Sequence, residues 1–480
     1  MSAQTKSFNK MYIHFVVVAA LMFLFRFIPP FGTLTPYGMA LLGIFLGLLY
    51  GWSVDTSNLC WSSLMGIVAL GVTDFGATGT ALATAFGNES VLLMLMLMFF
   101  IGMMQETHLT EWIANAILGA KFLEGRPWML TTFLVVVPSV ASLVINQTLI
   151  ALIMFVIYAS IFKQAGYQKG DMYPTMVLEG FMLIACVVFS MLPFLGWPLM
   201  TVGIAIQAGV DINMGGWIIT VLCTLLVICI GWPLVMKLTP GCEVDKLKEI
   251  DITQFRKEQE PLTKMQKAAL GITVAQIVGC LILTFLGGQE GWRAVLSNVG
   301  VYGWILLCIA FSMIWKIDGK PVLDKATAPK YFYWDLILVV AVATVVANQI
   351  TSEASGIVPM LNQMLAPLFS LSGYTLILVI GLVTFILTNF ANNVAVTITM
   401  ITVAMGMAAQ MDFNLPCALM IITVTGVIGL VAPSGSINGA MIHAHEYTTT
   451  KSSYLAGVVM MIFFVLVMAL VTIPLGIKLM

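Results

Sequence analysis

Apolar residues along this chain gather in long blocks rather than in short alternating runs. Blocks of about 20 residues recur, the length that the hydrocarbon core of a bilayer demands. They predict membrane-spanning helices at roughly 12–28, 35–51, 56–72, 90–105, 175–210, 216–236, 268–287, 297–315, 334–351, 415–446 and 454–477. Two of these, 175–210 and 415–446, are too long for single straight helices. The first is interrupted by Leu192-Pro193-Phe194-Leu195-Gly196-Trp197-Pro198, the second by Ala432-Pro433-Ser434-Gly435-Ser436-Ile437-Asn438-Gly439. Proline removes a backbone donor, and glycine, serine and asparagine are poor helix formers, so both stretches predict unwound backbone. Such backbone is tolerated at membrane depth only where it lines protein or a wet cavity.

Two further apolar stretches, 129–163 and 368–410, carry polar residues at their centres. The second reads Thr388-Asn389-Phe390-Ala391-Asn392-Asn393, and the first echoes it with Ser142-Leu143-Val144-Ile145-Asn146-Gln147-Thr148. Side-chain amides within a hydrophobic block are costly unless they face protein, water or a ligand. One reading is a pair of ordinary spanning helices whose amides bond to neighbours. The other is a pair of re-entrant hairpins whose tips meet at a substrate site. The pairing of the two stretches, each followed by a broken span, favours the hairpins. Phe86-Gly87-Asn88-Glu89-Ser90 opens one copy of the order span, hairpin, broken span, and Tyr333-Trp334-Asp335 opens the other. An odd number of crossings per copy makes the second inverted, a plan common among secondary transporters.

Composition agrees. The 480 residues are 60% apolar and 9% charged, with a mean hydropathy of +1.01. The expected fold class is an all-α polytopic membrane protein with about 11 transmembrane helices and two re-entrant hairpins. A membrane β-barrel would alternate apolar and polar residues in short segments, which this chain does not do. A net charge of −1 gives no case for nucleic acid as a partner. The eight cysteines are scattered singly and predict reduced thiols packed in helices. The first apolar run, Tyr12 to Ile28, lacks a small-residue cleavage site and reads as the first span.

With the N-terminus placed in the cytoplasm, all of the 21 Lys and Arg except Arg26, Arg293 and Lys478 fall on the inner side. That bias predicts a multi-pass protein of the cell (inner) membrane. The implied organisation is N-terminal helices, mainly scaffold, over 1–72; a first repeat over 73–240; a charged cytoplasmic connector over 241–265; scaffold helices over 266–330; and a second repeat over 331–480.

The chemistry is that of binding rather than catalysis. There is no HExxH and no nucleophile with a base beside it in sequence, so no enzyme is expected. No Lys or Arg lies near either tip or either break. An anion there would be held by amides, hydroxyls and helix N-termini, with a bound cation supplying positive charge. Apart from Asp335 and Glu446 at the ends of theirs, Glu179 is the one carboxylate inside a predicted membrane segment. A proton site is one reading; a snorkelling or helix-end role near the cytoplasmic face is the expected one. His443 and His445, at i and i+2, do not share a helix face and are not read as a metal site.

This pattern of hairpins, breaks and repeats resembles the divalent anion/sodium symporter family of the ion-transporter superfamily, and the similarity of order covers nearly the whole chain. The resemblance implies a secondary active transporter of small organic anions, di- or tricarboxylates, coupled to Na⁺. It also implies a homodimer formed by a scaffold domain and a transport domain that moves as an elevator. In that family each hairpin tip carries Ser-Asn-Thr. Here Asn146 and Asn393 take the Asn places and Asn392 the Ser place. Thr388 sits one turn earlier, where the family helps bind Na⁺. The first tip has Ile145 and Gln147 where the family has Ser and Thr, and the second has Val394 for Thr. Pro198 and Pro433 mark the two broken-helix turns. The substrate set implied is Asn146, Thr148, Pro198, Asn392, Asn393, Pro433, Ser434, Gly435 and Asn438. The Na⁺ set is Ser142, Asn146, Gly196, Thr388, Asn392, Asn393 and Gly435. Proton coupling or antiport of another small anion on the same fold is the alternative, and a channel a more distant one.

Overall fold

The computed structural model describes residues 2–55, 58–87, 89–109, 112, 126–143, 147–249, 261–286, 291–332, 334–357, 359–360, 363, 371–408, 411–433 and 436–480. Among them the architecture is helical, apart from a two-stranded ribbon, Lys316–Ile317 against Lys320–Pro321, turned at Asp318-Gly319. Asp318 and Gly319 both have positive φ, as a two-residue hairpin turn requires.

Helices begin where the sequence supplies a cap. α2 (Pro36–Val54) starts with Pro36 after Thr35, whose hydroxyl accepts the Gly38 N–H. α10 (Met214–Leu238) and α16 (Leu415–Gly426) are capped by Asn213 and Asn414. α18 (Thr450–Val467) opens with a reciprocal capping box between Thr449 and Ser452. A π-turn over 468–472 joins it to α19 (Ile473–Leu479).

Five helical segments are long and apolar enough to cross a membrane: Pro36–Val54, Met172–Phe189, Met214–Leu238, Lys264–Thr284 and Thr450–Leu479. Nine shorter apolar helices accompany them among the described residues. The expected span at 56–72 is instead α3 (Cys60–Leu70), 11 residues long, followed by the separate α4 (Thr78–Phe86). The expected span at 297–315 begins earlier, in α12 (Gly291–Ile314), and is kinked at Gly300, whose φ is +58°. α1 (Ser2–Leu24), α5 (Glu89–Glu106), α11 (Lys264–Leu286) and α13 (Trp334–Thr351) follow the hydropathy blocks.

Burial sorts these helices. Every residue of α8 (Met172–Phe189) from Met172 to Val188 is buried, so it runs through the interior of the bundle. On α10, by contrast, Leu222, Leu226, Ile230, Leu234 and Leu238 are exposed at a strict four-residue spacing. Leu455, Val458, Ile462, Leu466 and Leu470 form a similar stripe on α18 and the turn after it. Such one-sided apolar stripes face lipid in a multi-pass protein.

The stretch 129–163 forms α6 (Pro127–Val140), a 3₁₀ turn at Ala141–Leu143 and α7 (Gln147–Gln164). The stretch 368–410 forms α14 (Gly373–Thr388) and α15 (Asn393–Ala408), joined by a four-residue turn. At 1.5 Å per residue α6 is about 21 Å long, and α14 and α15 are about 24 Å each, shorter than the ~30 Å core of a bilayer.

Both long spans are broken, and Pro193 and Pro433 lie within the breaks, but each break opens upstream of the stretch read from the sequence. The first unwinds over Ser190–Leu195 and resumes as α9 (Gly196–Gln207). Pro198 therefore lies inside the first turn of a helix, where its missing N–H has no helical partner to lose. The second unwinds from Val427, well before Pro433, and resumes as α17 (Ile437–Ala444). Val427 to Val431 carry no polar side chain, and Gly429 is the one residue among them that marks a loss of helix.

Candidate functional site

The turn of the second hairpin is stitched to the second break. Thr388, fully buried, donates to Asn393 Oδ1 (2.8 Å) and to Gly426 O (2.7 Å). Asn393 Nδ2 donates to Val427 O (3.2 Å). Asn389 Nδ2 donates to Phe385 O (2.7 Å), and its Oδ1 accepts the Val431 N–H (2.8 Å). The far side of Val431 is held too: His443 Nε2–H donates to Val431 O (3.0 Å). The break is thus fixed between the hairpin turn and α17. Asn392 caps α15, its Oδ1 accepting from Val394 N (2.9 Å) and Ala395 N (3.2 Å). Its amide nitrogen is the end left to donate.

The half-helix α17 is folded tightly onto the unwound segment. Ser436 caps it, accepting the Gly439 N–H at 3.0 Å and donating to Gly429 O. A Cβ at Gly439 would stand 2.7 Å from Ala432 O and 2.8 Å from Gly429 O, so only glycine permits this approach.

The first hairpin reaches the same place. Thr148, in the first turn of α7, donates to Asn438 Oδ1 across 290 residues of sequence (2.7 Å). Ser142 Oγ and Gln147 Oε1, on either side of the turn, are buried and make no hydrogen bond among the described residues. The two broken helices touch as well. Trp197 Nε1 donates to Thr423 O (2.9 Å), Thr201 and Thr423 hydroxyls lie 2.7 Å apart, and Cys186 Sγ donates to Val427 O (3.5 Å).

The geometry therefore joins Thr388 and Asn393, with Asn392 beside them in the turn, to the carbonyls of Gly426 and Val427, and joins Thr148 to Asn438 just beyond the break. Gly196, with φ +49°, opens α9 beside Trp197. Pro433 is exposed. Asn146, Ser434 and Gly435 lie outside the described residues. Sequence reasoning passed over Gln147, Asn389 and the 426–427 carbonyls. Asn389 sits in the same polar cluster as Asn392 and was visible there. The carbonyls carry no side-chain signal at all.

Four helix N-termini take part in these contacts: those of α7 and α17 bond to each other, that of α15 to the second break, and that of α9 to Thr423 of α16. Each carries a partial positive charge, equivalent to about +0.5 at a long helix, and unpaired N–H groups. The donor set beside them is all oxygen: hydroxyls, amide oxygens and carbonyls. That chemistry suits a hard cation, and the single Thr388 proton cannot fully satisfy both of its acceptors. A cavity of about 580 Å³ elsewhere, lined by Thr35, Tyr37, Asp74, Phe75 and Gln349, shares no residue with the hairpin turns or the breaks.

One-sided apolar stripes, apolar spans and discontinuous helices packed in the interior are those of a multi-pass membrane protein. The chain belongs to the citrate transporter (CitMHS) family, whose model matches residues 11–425, within the superfamily of divalent anion/sodium symporter-type ion transporters. The match ends one residue before Gly426, so the second break, α17, α18 and α19 lie beyond it. No curated protein matches the chain.

Proposed function

We propose that this protein is a secondary active transporter of citrate or a related di- or tricarboxylate, coupled to Na⁺, working by an elevator-type exchange of access. The observation that carries this reading is the Thr148–Asn438 bond beside the Asn393–Val427 bond. It ties the second hairpin's turn to the break, and the first turn of α7 to the half-helix that follows the break, with no Lys or Arg supplied by the neighbouring sequence. Asn146, Thr148, Asn392, Asn393, Ser434 and Asn438 would donate to the substrate's carboxylates, with Pro198, Pro433 and Gly435 shaping the backbone around it. Na⁺ would take oxygens from Thr388, Asn393 and Gly426 on one side. On the other it would take them from Ser142, Asn146 and Gly196, with Asn392 and Gly435 completing the set. Bound Na⁺ neutralises part of the anion's charge; one uncompensated charge at the bilayer centre costs at least ~2.5–3.5 kcal/mol.

In this reading α6–α7 and α14–α15 are re-entrant, which the short α6, α14 and α15 favour. They travel with the broken helices as a transport domain, while α1–α3 and α11–α12 contribute to a scaffold that forms a homodimer. The protein sits in the inner membrane with its N-terminus in the cytoplasm, consistent with the charge bias. Reconstitution into proteoliposomes tests the coupling. Saturable uptake of radiolabelled citrate is expected with an inward Na⁺ gradient and not with an equal K⁺ gradient. Equal uptake under both would remove Na⁺ from the account.

A further inference from the structure

Several buried polar atoms make no hydrogen bond among the described residues. Some, such as the hydroxyls of Thr397 and Ser453 and the carboxyl group of Glu179, can hold a proton of their own. Glu179 is completely buried in α8, so it does not snorkel to the cytoplasmic surface as its place in the sequence suggested. Gln147 Oε1 is different: an amide oxygen has no proton and can only accept. Gln147 is 6% exposed and stands in the first turn of α7, next to Thr148. A buried acceptor without a donor is costly, and an apolar side chain of the same length would fill the space without that cost.

The charge around Gln147 selects the kind of ligand. Thr148 donates to Asn438 Oδ1 (2.7 Å), so the N-termini of α7 and α17 meet. They carry like partial charges, and their meeting is favourable with negative charge beside them. Ser142, in the turn that follows α6, lies where a helix presents carbonyls and suits a cation. Gln147 lies where N–H groups emerge and suits an anion. Carboxylates accept hydrogen bonds and donate none. A fully ionised tricarboxylate can therefore use the N–H groups and the Asn438 amide nitrogen but offers nothing to Gln147 Oε1. A hydroxyl does. In citrate the hydroxyl and one carboxylate share the central carbon, which matches an acceptor, Gln147, beside the Thr148–Asn438 pair.

We propose that Gln147 accepts a hydrogen bond from the hydroxyl of a 2-hydroxy tricarboxylate, and that this contact makes the carrier select citrate over the same tricarboxylate without the hydroxyl. The carboxylate on the hydroxyl-bearing carbon lies against the N-termini of α7 and α17. When a substrate without the hydroxyl binds, Gln147 Oε1 stays buried and unpaired. The discrimination comes from that stranded acceptor more than from the lost contact itself. This rests on the carrier reading above but not on its Na⁺ coupling.

The test is uptake of radiolabelled citrate into proteoliposomes, with unlabelled citrate or tricarballylate (propane-1,2,3-tricarboxylate) as competitor. Mildly alkaline pH keeps both compounds fully ionised. The wild type is expected to need roughly 5- to 150-fold more tricarballylate than citrate for half-inhibition, the worth of one stranded buried acceptor. Gln147→Met keeps the volume and removes the acceptor, and its ratio is expected to fall to about one. A role confined to packing would weaken both competitors alike, so a variant with the wild-type ratio would overturn the inference. So would a wild type inhibited equally by both compounds, a result that needs no variant to fold. A variant altered only in its Na⁺ dependence, at the wild-type ratio, would make Gln147 a cation ligand instead. Absence of any citrate uptake by the wild type would overturn the carrier reading, and the inference with it.

Discussion

Replacing Thr388 by Val tests the cation site most sharply, because it removes one oxygen and almost nothing else. Thr388 is fully buried, so an isosteric side chain leaves no cavity. The hydroxyl donates to Asn393 Oδ1 at 2.8 Å and to Gly426 O at 2.7 Å. Losing it strands up to two buried acceptors at ~1–3 kcal/mol for each left unpaired. If the same oxygen is a ligand for Na⁺, the bound state loses a further ~1.5–3 kcal/mol, the worth of a polar contact to a charged group. At 1.4 kcal/mol per decade this raises the Na⁺ concentration for half-maximal citrate uptake by roughly 10- to 150-fold. The assay is initial citrate uptake in proteoliposomes as a function of external Na⁺, beside thermal unfolding of the purified protein. Thr388→Ser, which restores the oxygen, is expected to recover most of the Na⁺ affinity. A Thr388→Val protein that is less stable but has the wild-type Na⁺ dependence would show that the hydroxyl only pins the hairpin turn to Gly426.

Three further outcomes follow from the same geometry. Thr148→Val removes the 2.7 Å bond that joins the halves and leaves Asn438 Oδ1, itself buried, without that donor. It should cost ~1–3 kcal/mol in stability and raise the half-saturating citrate concentration, both measurable on purified protein. Gly439→Ala drives a methyl group to 2.7 Å from Ala432 O and 2.8 Å from Gly429 O, and overpacking of ~1–3 kcal/mol should abolish citrate binding in a thermal-shift titration. Asp171→Asn tests the connector, where Lys246 Nζ sits 3.1 Å from the Asp171 carboxylate. Burial pushes that carboxyl up, but the Gln168 N–H and Lys246 outweigh it and hold it below its ordinary value. The contribution is therefore fully present above the ordinary carboxylate range and lost as pH falls through the depressed value. The gap in melting temperature between wild type and Asp171→Asn should be open at neutral pH and close in acid.

What the sequence reveals and conceals here divides along physical lines. Hydropathy blocks located most of the helices because burial in lipid is written in side chains, and the polar cluster at 388–393 marks the turn between α14 and α15 for the same reason. Pro193 and Pro433 lie inside the two breaks, but each break opens upstream of its proline. Pro198 is compatible with a helical first turn, and the second break begins at Val427, where the backbone leaves the helix for tertiary contacts with Asn393 and Asn389. Carbonyl ligands such as Gly426 O have no residue-type signature. Glu179 was conspicuous as a charge, but only packing shows that it is buried; its distance from the helix start in residues says nothing of what covers it.

The central claim is that both hairpin turns and the second break form one citrate site. Its most direct measurement is radiolabelled citrate uptake by wild-type and Asn393→Ala proteins, reconstituted at equal density and checked for the same oligomeric state. Asn393 spans the junction, bonded to Thr388 on the hairpin and to Val427 in the break. The account predicts saturable uptake by the wild type and none by a folded Asn393→Ala protein. Wild-type uptake in that variant would place the citrate site elsewhere in the molecule.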